Sequence, residues 1–150
     1  MPRSGWEIRE YKTRYKVLKK LKGGAMAVVY LAQDCTCGAF YREVILKVLL
    51  GGATCEQRQR FIREVLLVSK VKHPNVVDYF DAAEQVDGTL FIAMEVIHGS
   101  DLQQLIDKHK QLEHDFTVLT AIGVLQALQA CHAQGIVHRD LKPANIMIAK

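Results

Sequence analysis

The sequence lacks a paired cysteine motif. Its four cysteines, Cys35, Cys37, Cys55 and Cys131, are irregularly spaced and include no C-x-x-C. That spacing argues against a zinc site or a disulfide framework and for free thiols in a reducing, cytoplasmic compartment. No dense Lys/Arg block with interleaved aromatics occurs, and the formal charge of +4 is mild. Nucleic acid is therefore not an expected partner, although an anionic ligand such as a phosphate suits the charge. Residues 1–14 are polar and charged, so no cleaved signal is expected. The densest apolar runs, "AMAVVYLA" and "VILKVLL", are too short to span a bilayer, and no membrane segment is expected. Internal repeats and low-complexity tracts are missing too.

What is present suffices for a core. Hydrophobic residues make up 49% of the 150, and a chain of this length buries roughly 70% of the surface its unfolded form exposes. From Arg14 onward the sequence reads as strands: "YKVLKKL", "AVVYLAQD" and "REVILKVLL", punctuated by "KGGAM" and "CTCGAF". Thr54 and Gln57 form a T-x-x-Q capping box before a helix carrying Phe61, Ile62, Val65, Leu66 and Val68 at helical spacing. Pro74 ends that stretch. Two further strands, "VVDYFDAAE" and "TLFIAMEVI", flank the turn dipeptide Asp87-Gly88. Ser100 and Gln103 read as a second capping box opening "DLQQLIDKH". A longer helix over about Asp115–Gln134 aligns Phe116, Leu119, Ile122, Leu125 and Leu128, and Gly135 stops it. Strands with one helix first and helices later make an α+β chain with a hinge near residues 96–100.

The chemistry concentrates in "HRDLKPANIMI". Asp140 and Asn145 flank Pro143, which makes this a fixed loop. A carboxylate, an ammonium and an amide offered together suit a phosphorylated substrate: Asp140 can accept a hydroxyl proton, Lys142 can neutralise phosphate charge, and the Asn145 amide oxygen can ligate Mg²⁺.

"HRDLKPAN" resembles the catalytic loop of eukaryotic-type protein kinases, in the Ser/Thr-specific form and closest in wording to bacterial members. Upstream pieces follow in the family's order: "GGAMAVVYLA" (glycine-rich loop), "VILK" (the lysine strand), "RFIREV" (helix αC), "VKHPNVV" and "FIAMEVIHGSDL" (fifth strand and hinge). The resemblance covers about residues 14–150. It implies a kinase-like fold: a five-stranded antiparallel sheet with αC, then the first helices and catalytic loop of the helical lobe. It divides the chain into an extension (1–13), an N-lobe (14–97) and the start of a C-lobe (98–150). It implies ATP and Mg²⁺ as cofactors and a protein substrate. Lys47 would pair the α- and β-phosphates, held by Glu64. Gly24 would approach the phosphates. Val29 and Met147 would sandwich the adenine, with Ile45 facing it, Met94 as gatekeeper, and the Glu95 carbonyl and Ile97 N–H on its edge. Asp140, Lys142 and Asn145 would be catalytic, Asn145 holding metal.

The pattern also departs from the family. The glycine motif falls on Lys22, Gly24 and Ala27, keeping only Gly24, so weakened ATP affinity is expected. Ile45 replaces an alanine and narrows the adenine slot. No Asp-Phe-Gly follows Asn145, so the chain is expected to be about half of a kinase domain and inactive alone. A partner or the rest of a C-lobe would cover its exposed helical face. The alternative is a pseudokinase-like fragment that binds nucleotide or a partner without catalysis.

Overall fold

The computed structural model describes residues 14–23, 27–37, 41–49, 54–85 and 87–150, apart from the side chains of Cys37, Arg60, Glu64 and residues 66–68. Gly24 and the 1–13 extension fall outside these residues. The chain divides into two compact units: one runs to Ser69 and adds Asp78–Val96, the other joins Lys70–Val77 to Ile97–Lys150.

The first unit is an antiparallel sheet. Strands β1 (Tyr15–Gly23), β2 (Ala27–Asp34), β3 (Arg42–Leu49), β4 (Tyr79–Glu84) and β5 (Leu90–Met94) stand in the order β1-β2-β3-β5-β4. The five-stranded antiparallel sheet matches the expected kinase-like α+β architecture. Alternation along the strands splits the apolar residues into two clusters. Tyr15, Ala32, Val44, Leu46, Val48, Ala83, Phe91 and Ala93 form one. Leu49, Leu90 and Ile92 pack with Phe61 and Val65 of α1 (Cys55–Val68) in the other. Strand β5 serves both clusters, which explains why "LFIAM" reads as an unbroken apolar run. Burying Phe61 and Val65 contributes roughly 1.5–3 kcal/mol each and seats the helix on the sheet.

Helix α1 begins where the capping box puts it. The Gln57 amide N–H donates to Thr54 Oγ1 at 3.2 Å, and the Thr54 N–H donates to Gln57 Oε1 at 2.8 Å. Arg58 then ties the helix to the β4–β5 turn, donating to the Gly88 carbonyl and pairing with Glu84. Gly88 adopts φ 81°, the left-handed value its turn needs.

At the far end of the sheet a charged knot closes β1 onto β2 and β4. Asp34 is 0% exposed. It accepts from Arg14 Nε at 3.1 Å and Nη2 at 2.9 Å, and from the Thr36 hydroxyl at 2.6 Å. Arg14 Nη1 also reaches Asp81 Oδ2 at 2.6 Å. Burial opposes the charge on Asp34, but the Arg14 guanidinium and the Thr36 donors outweigh it and hold the carboxyl well below the usual range.

The second unit holds β6 (Gly99–Asp101), α2 (Leu102–His109), α3 (His114–Ala133) and β7 (Met147–Ala149). The expected cap on Ser100 is corrected by one residue. Asp101 caps α2, accepting from the Gln104 N–H at 2.8 Å. Ser100 is committed to pairing with Ile148 instead. Helix α3 ends as expected at Gly135, φ 72°. The Ile136 N–H reaches the Cys131 carbonyl at 3.0 Å and the Gly135 N–H reaches that of His132 at 2.9 Å, a complete Schellman stop. Asn75 fastens the Lys70–Val77 stretch to α3 by donating to the Gly123 carbonyl at 3.2 Å.

Much of α3 is bare, with Leu119 68% and Leu125 64% exposed. Its best 18-residue window has mean hydropathy 1.4, so by length and composition it is long and apolar enough to cross a membrane. Gln, His and Thr interrupt its apolar letters, so it does not stand out among the densest apolar runs.

Candidate active site

Three cross-strand pairs gather the candidate residues of the first unit. Val29 stands opposite Lys47, Leu31 opposite Ile45, and Ile45 opposite Met94. Directly opposed residues share a face, so Val29, Ile45, Lys47 and Met94 line one side of the sheet, all partly exposed. This is the face against which α1 packs through Leu49 and Ile92. The Lys47 ammonium lies 5.8 Å from the centre of the Phe61 ring. Glu64 is in the same helix, its side chain outside the described residues.

Beyond Met94 the strand becomes a connector. The Glu95 N–H donates to the Asp78 carbonyl at 2.9 Å, and its carboxylate accepts from the Asp78 N–H at 2.7 Å. Among the described residues no hydrogen bond uses the Glu95 carbonyl or the Ile97 N–H.

The second unit holds a separate group of candidate residues. Lys142 Nζ grips the Asp140 carboxylate at 3.0 Å and 2.9 Å. The Asn145 amide donates to Asp140 Oδ2 at 3.0 Å and to the Asp140 carbonyl at 2.8 Å. Lys142 and then Asn145 hold the Asp140 carboxyl below its ordinary range, so it stays ionised through mildly acidic pH. With its N–H₂ spent on Asp140, the Asn145 amide leaves its oxygen available as a hard-cation ligand. Together the carboxylate and this amide fit part of a Mg²⁺ shell. No cluster of three or more His, Cys, Asp or Glu gathers for a metal among the described residues.

The backbone explains why the loop holds this shape. Arg139 sits at φ 62°, a conformation that costs a non-glycine residue about 1–3 kcal/mol. The Asp140 N–H turns back to the His138 carbonyl at 2.9 Å. Pro143–Asn145 forms one 3-10 turn. Strand β7 then pins the loop's end to β6, with Asp101 opposite Met147. The Leu102 N–H donates to the Ile146 carbonyl at 2.8 Å and the Lys150 N–H to that of His98 at 2.9 Å. Thus Asp140, Lys142 and Asn145 are brought together, and Met147 lies in the strand that anchors them.

Sequence reasoning missed Gly99, Arg139, His138 and Phe61 as contributors. Gly99 is the sharpest omission: a Cβ there would lie 1.8 Å from the Ile148 carbonyl oxygen. Only the glycine itself, in "HGSD", hinted at a close backbone approach.

A sheet with one helix on it, followed by helices and a strand-pinned Asp-x-Lys-x-x-Asn loop, defines a kinase-type domain. The chain belongs to the protein kinase domain family, whose profile matches residues 15–150. It is 36% identical over 137 residues to the serine/threonine-protein kinase pkn3 of Myxococcus xanthus, covering 90% of this chain and 24% of that protein. It is 35% identical to the serine/threonine-protein kinase PrkC of Bacillus subtilis, covering 90% and 20%. The Mycobacterium tuberculosis PknI kinase domain superposes with a TM-score of 0.76 at 33% identity, covering 90% of this chain and 54% of that one. The chain thus spans about a quarter or less of these curated relatives. The family uses ATP and Mg²⁺ and acts on proteins.

Proposed function

We propose that the protein carrying this chain transfers the γ-phosphate of ATP to serine and threonine hydroxyls of protein substrates. The observation that carries this reading is the loop in which one carboxylate is held by an ammonium and an amide. The substrate hydroxyl gives its proton to Asp140 as its oxygen attacks the γ-phosphorus. The bond to the β,γ-bridging oxygen breaks, and ADP leaves. Lys142 balances charge on the transferring group. Mg²⁺, when bound at the Asn145 oxygen, supplies further charge neutralisation on the phosphates.

On the sheet, Lys47 meets the α- and β-phosphates with Glu64 as its partner, and Gly24 approaches them. Val29, Ile45 and Met94 line the adenine seat, the Glu95 carbonyl and Ile97 N–H address the base edge, and Met147 contacts the base. Residues 14–97 act as the nucleotide lobe and 98–150 as the start of the helical lobe. The bare leucines of α3 are the seat for further protein, either the remaining helices of a kinase domain or a partner. Ile45, partly exposed on the sheet face assigned to adenine, narrows that seat and favours a second reading in which the chain binds a partner without catalysis.

Phosphate transfer to a basic protein, assayed on the protein carrying this chain, separates the two. Asp140→Asn should lower the rate by about 100-fold or more, the usual size of a lost general base. An unchanged rate in that variant contradicts the assignment.

A further inference from the structure

Lys47 is the cation on which the nucleotide reading depends, and the structure gives it a neighbour that the phosphate chemistry does not require. The ammonium stands over the ring of Phe61, 5.8 Å from its centroid. The ring belongs to α1, not to the sheet, and is only 5% exposed, packed with Leu49, Val65, Leu90 and Ile92. Ile92 is also the cross-strand neighbour of Lys47. The ring is therefore fixed by the same cluster that seats the helix, and it offers a face to the lysine from a rigid position. An aromatic face attracts an ammonium through its quadrupole, most strongly where water is excluded. An aliphatic side chain of similar volume fills the same space without this attraction.

We infer that Phe61 is a positioning residue for Lys47: its ring holds the ammonium on the nucleotide face and so couples the seating of α1 to phosphate binding. This rests on the reading that Lys47 meets ATP phosphates. Phe61 stands one helical turn before Glu64, so movement of α1 would withdraw the ring from Lys47.

Two measurements on the intact chain decide the matter. In the first, the lysines are reductively methylated with ¹³C, and the Lys47 resonance is assigned by its loss in Lys47→Arg. The ring current of Phe61 should move that resonance away from those of the exposed lysines, and Phe61→Leu should return it to them. In the second, Mg-ATP is titrated into wild type, Phe61→Leu and Phe61→pentafluorophenylalanine. The last keeps the ring's shape while reversing its quadrupole, so thermal stability should hold as nucleotide affinity falls about fivefold. In a Lys47→Met background neither change should weaken binding further. A Lys47 resonance unmoved by Phe61→Leu overturns the proposal. So does an affinity loss of equal size in the Lys47→Met background, which would make Phe61 merely structural. A wild-type chain that binds no nucleotide overturns the functional reading on which the role depends, and the lysine resonance distinguishes that failure from absence of the contact.

Discussion

Gly99→Ala should separate β6 from β7 and release the loop that carries Asp140. The added methyl would meet the Ile148 oxygen at 1.8 Å and the Ile148 carbonyl carbon at 2.8 Å. Both are backbone atoms, so no side chain can swing aside to make room. Three residue pairs, Gly99 with Ala149, Ser100 with Ile148 and Asp101 with Met147, must then part. Each lost hydrogen bond costs about 0.5–1.5 kcal/mol, for a total of roughly 3 kcal/mol. Gly135→Ala is the control. It stands at φ 72° with nothing within 4 Å of an added Cβ, so it pays only the left-handed backbone strain of about 1–2 kcal/mol. Urea denaturation should rank the two in that order. Hydrogen exchange should show the Leu102 and Lys150 amides, which donate across this pairing to the Ile146 and His98 carbonyls, losing protection only in Gly99→Ala. Protection retained there would mean that the close approach is not what this position demands.

Arg14→Met should produce a loss of similar or greater size in the first unit. The substitution leaves Asp34 fully enclosed, with Arg42 at 3.7 Å as its remaining cation. Removing one partner of a buried pair costs about 3–5 kcal/mol. The pH dependence gives the sign. Because the folded-state Asp34 carboxyl titrates below its ordinary value, its contribution is complete above that value. It is lost as the pH falls from there through the folded-state value. In Arg14→Met only the Thr36 donors and the more distant Arg42 still oppose burial, so the carboxyl shifts toward its protonated form. The gap between wild type and variant should therefore be widest at about pH 7 and shrink by about pH 3. The double change Arg14→Met, Asp34→Asn should recover part of the loss. A gap that does not vary with pH would show that charge burial is not its cause.

How much of this could be read from the letters depended on how local each signal was. The Thr54–Gln57 box and the Gly135 stop involve residues within a few positions, and both stand where the sequence put them. The resemblance of "GGAMAVVYLA" and "VILK" to the kinase motifs was enough to expect Val29, Ile45 and Lys47 in one region, and the register puts them on one face. The cap at Asp101 was misplaced by one residue because Ser100 is drawn into pairing with a strand that begins 47 positions later. The same distance hid the demand on Gly99. The Arg14–Asp34–Asp81 knot spans separations of 20 and 67 residues, and nothing in the separate strand patterns marks those residues as partners. Phe61 read as one more core residue, because only the fold brings Lys47 under its ring.

Calorimetric titration of Mg-ATP into this chain tests the nucleotide seat on the β2–β3–β5 face most directly. One molecule should bind. The affinity should fall at least about tenfold in Lys47→Met, the loss expected when a charged phosphate contact is removed. Absence of binding, or a Lys47→Met titration that overlays the wild type, would contradict the assignment of that face to ATP.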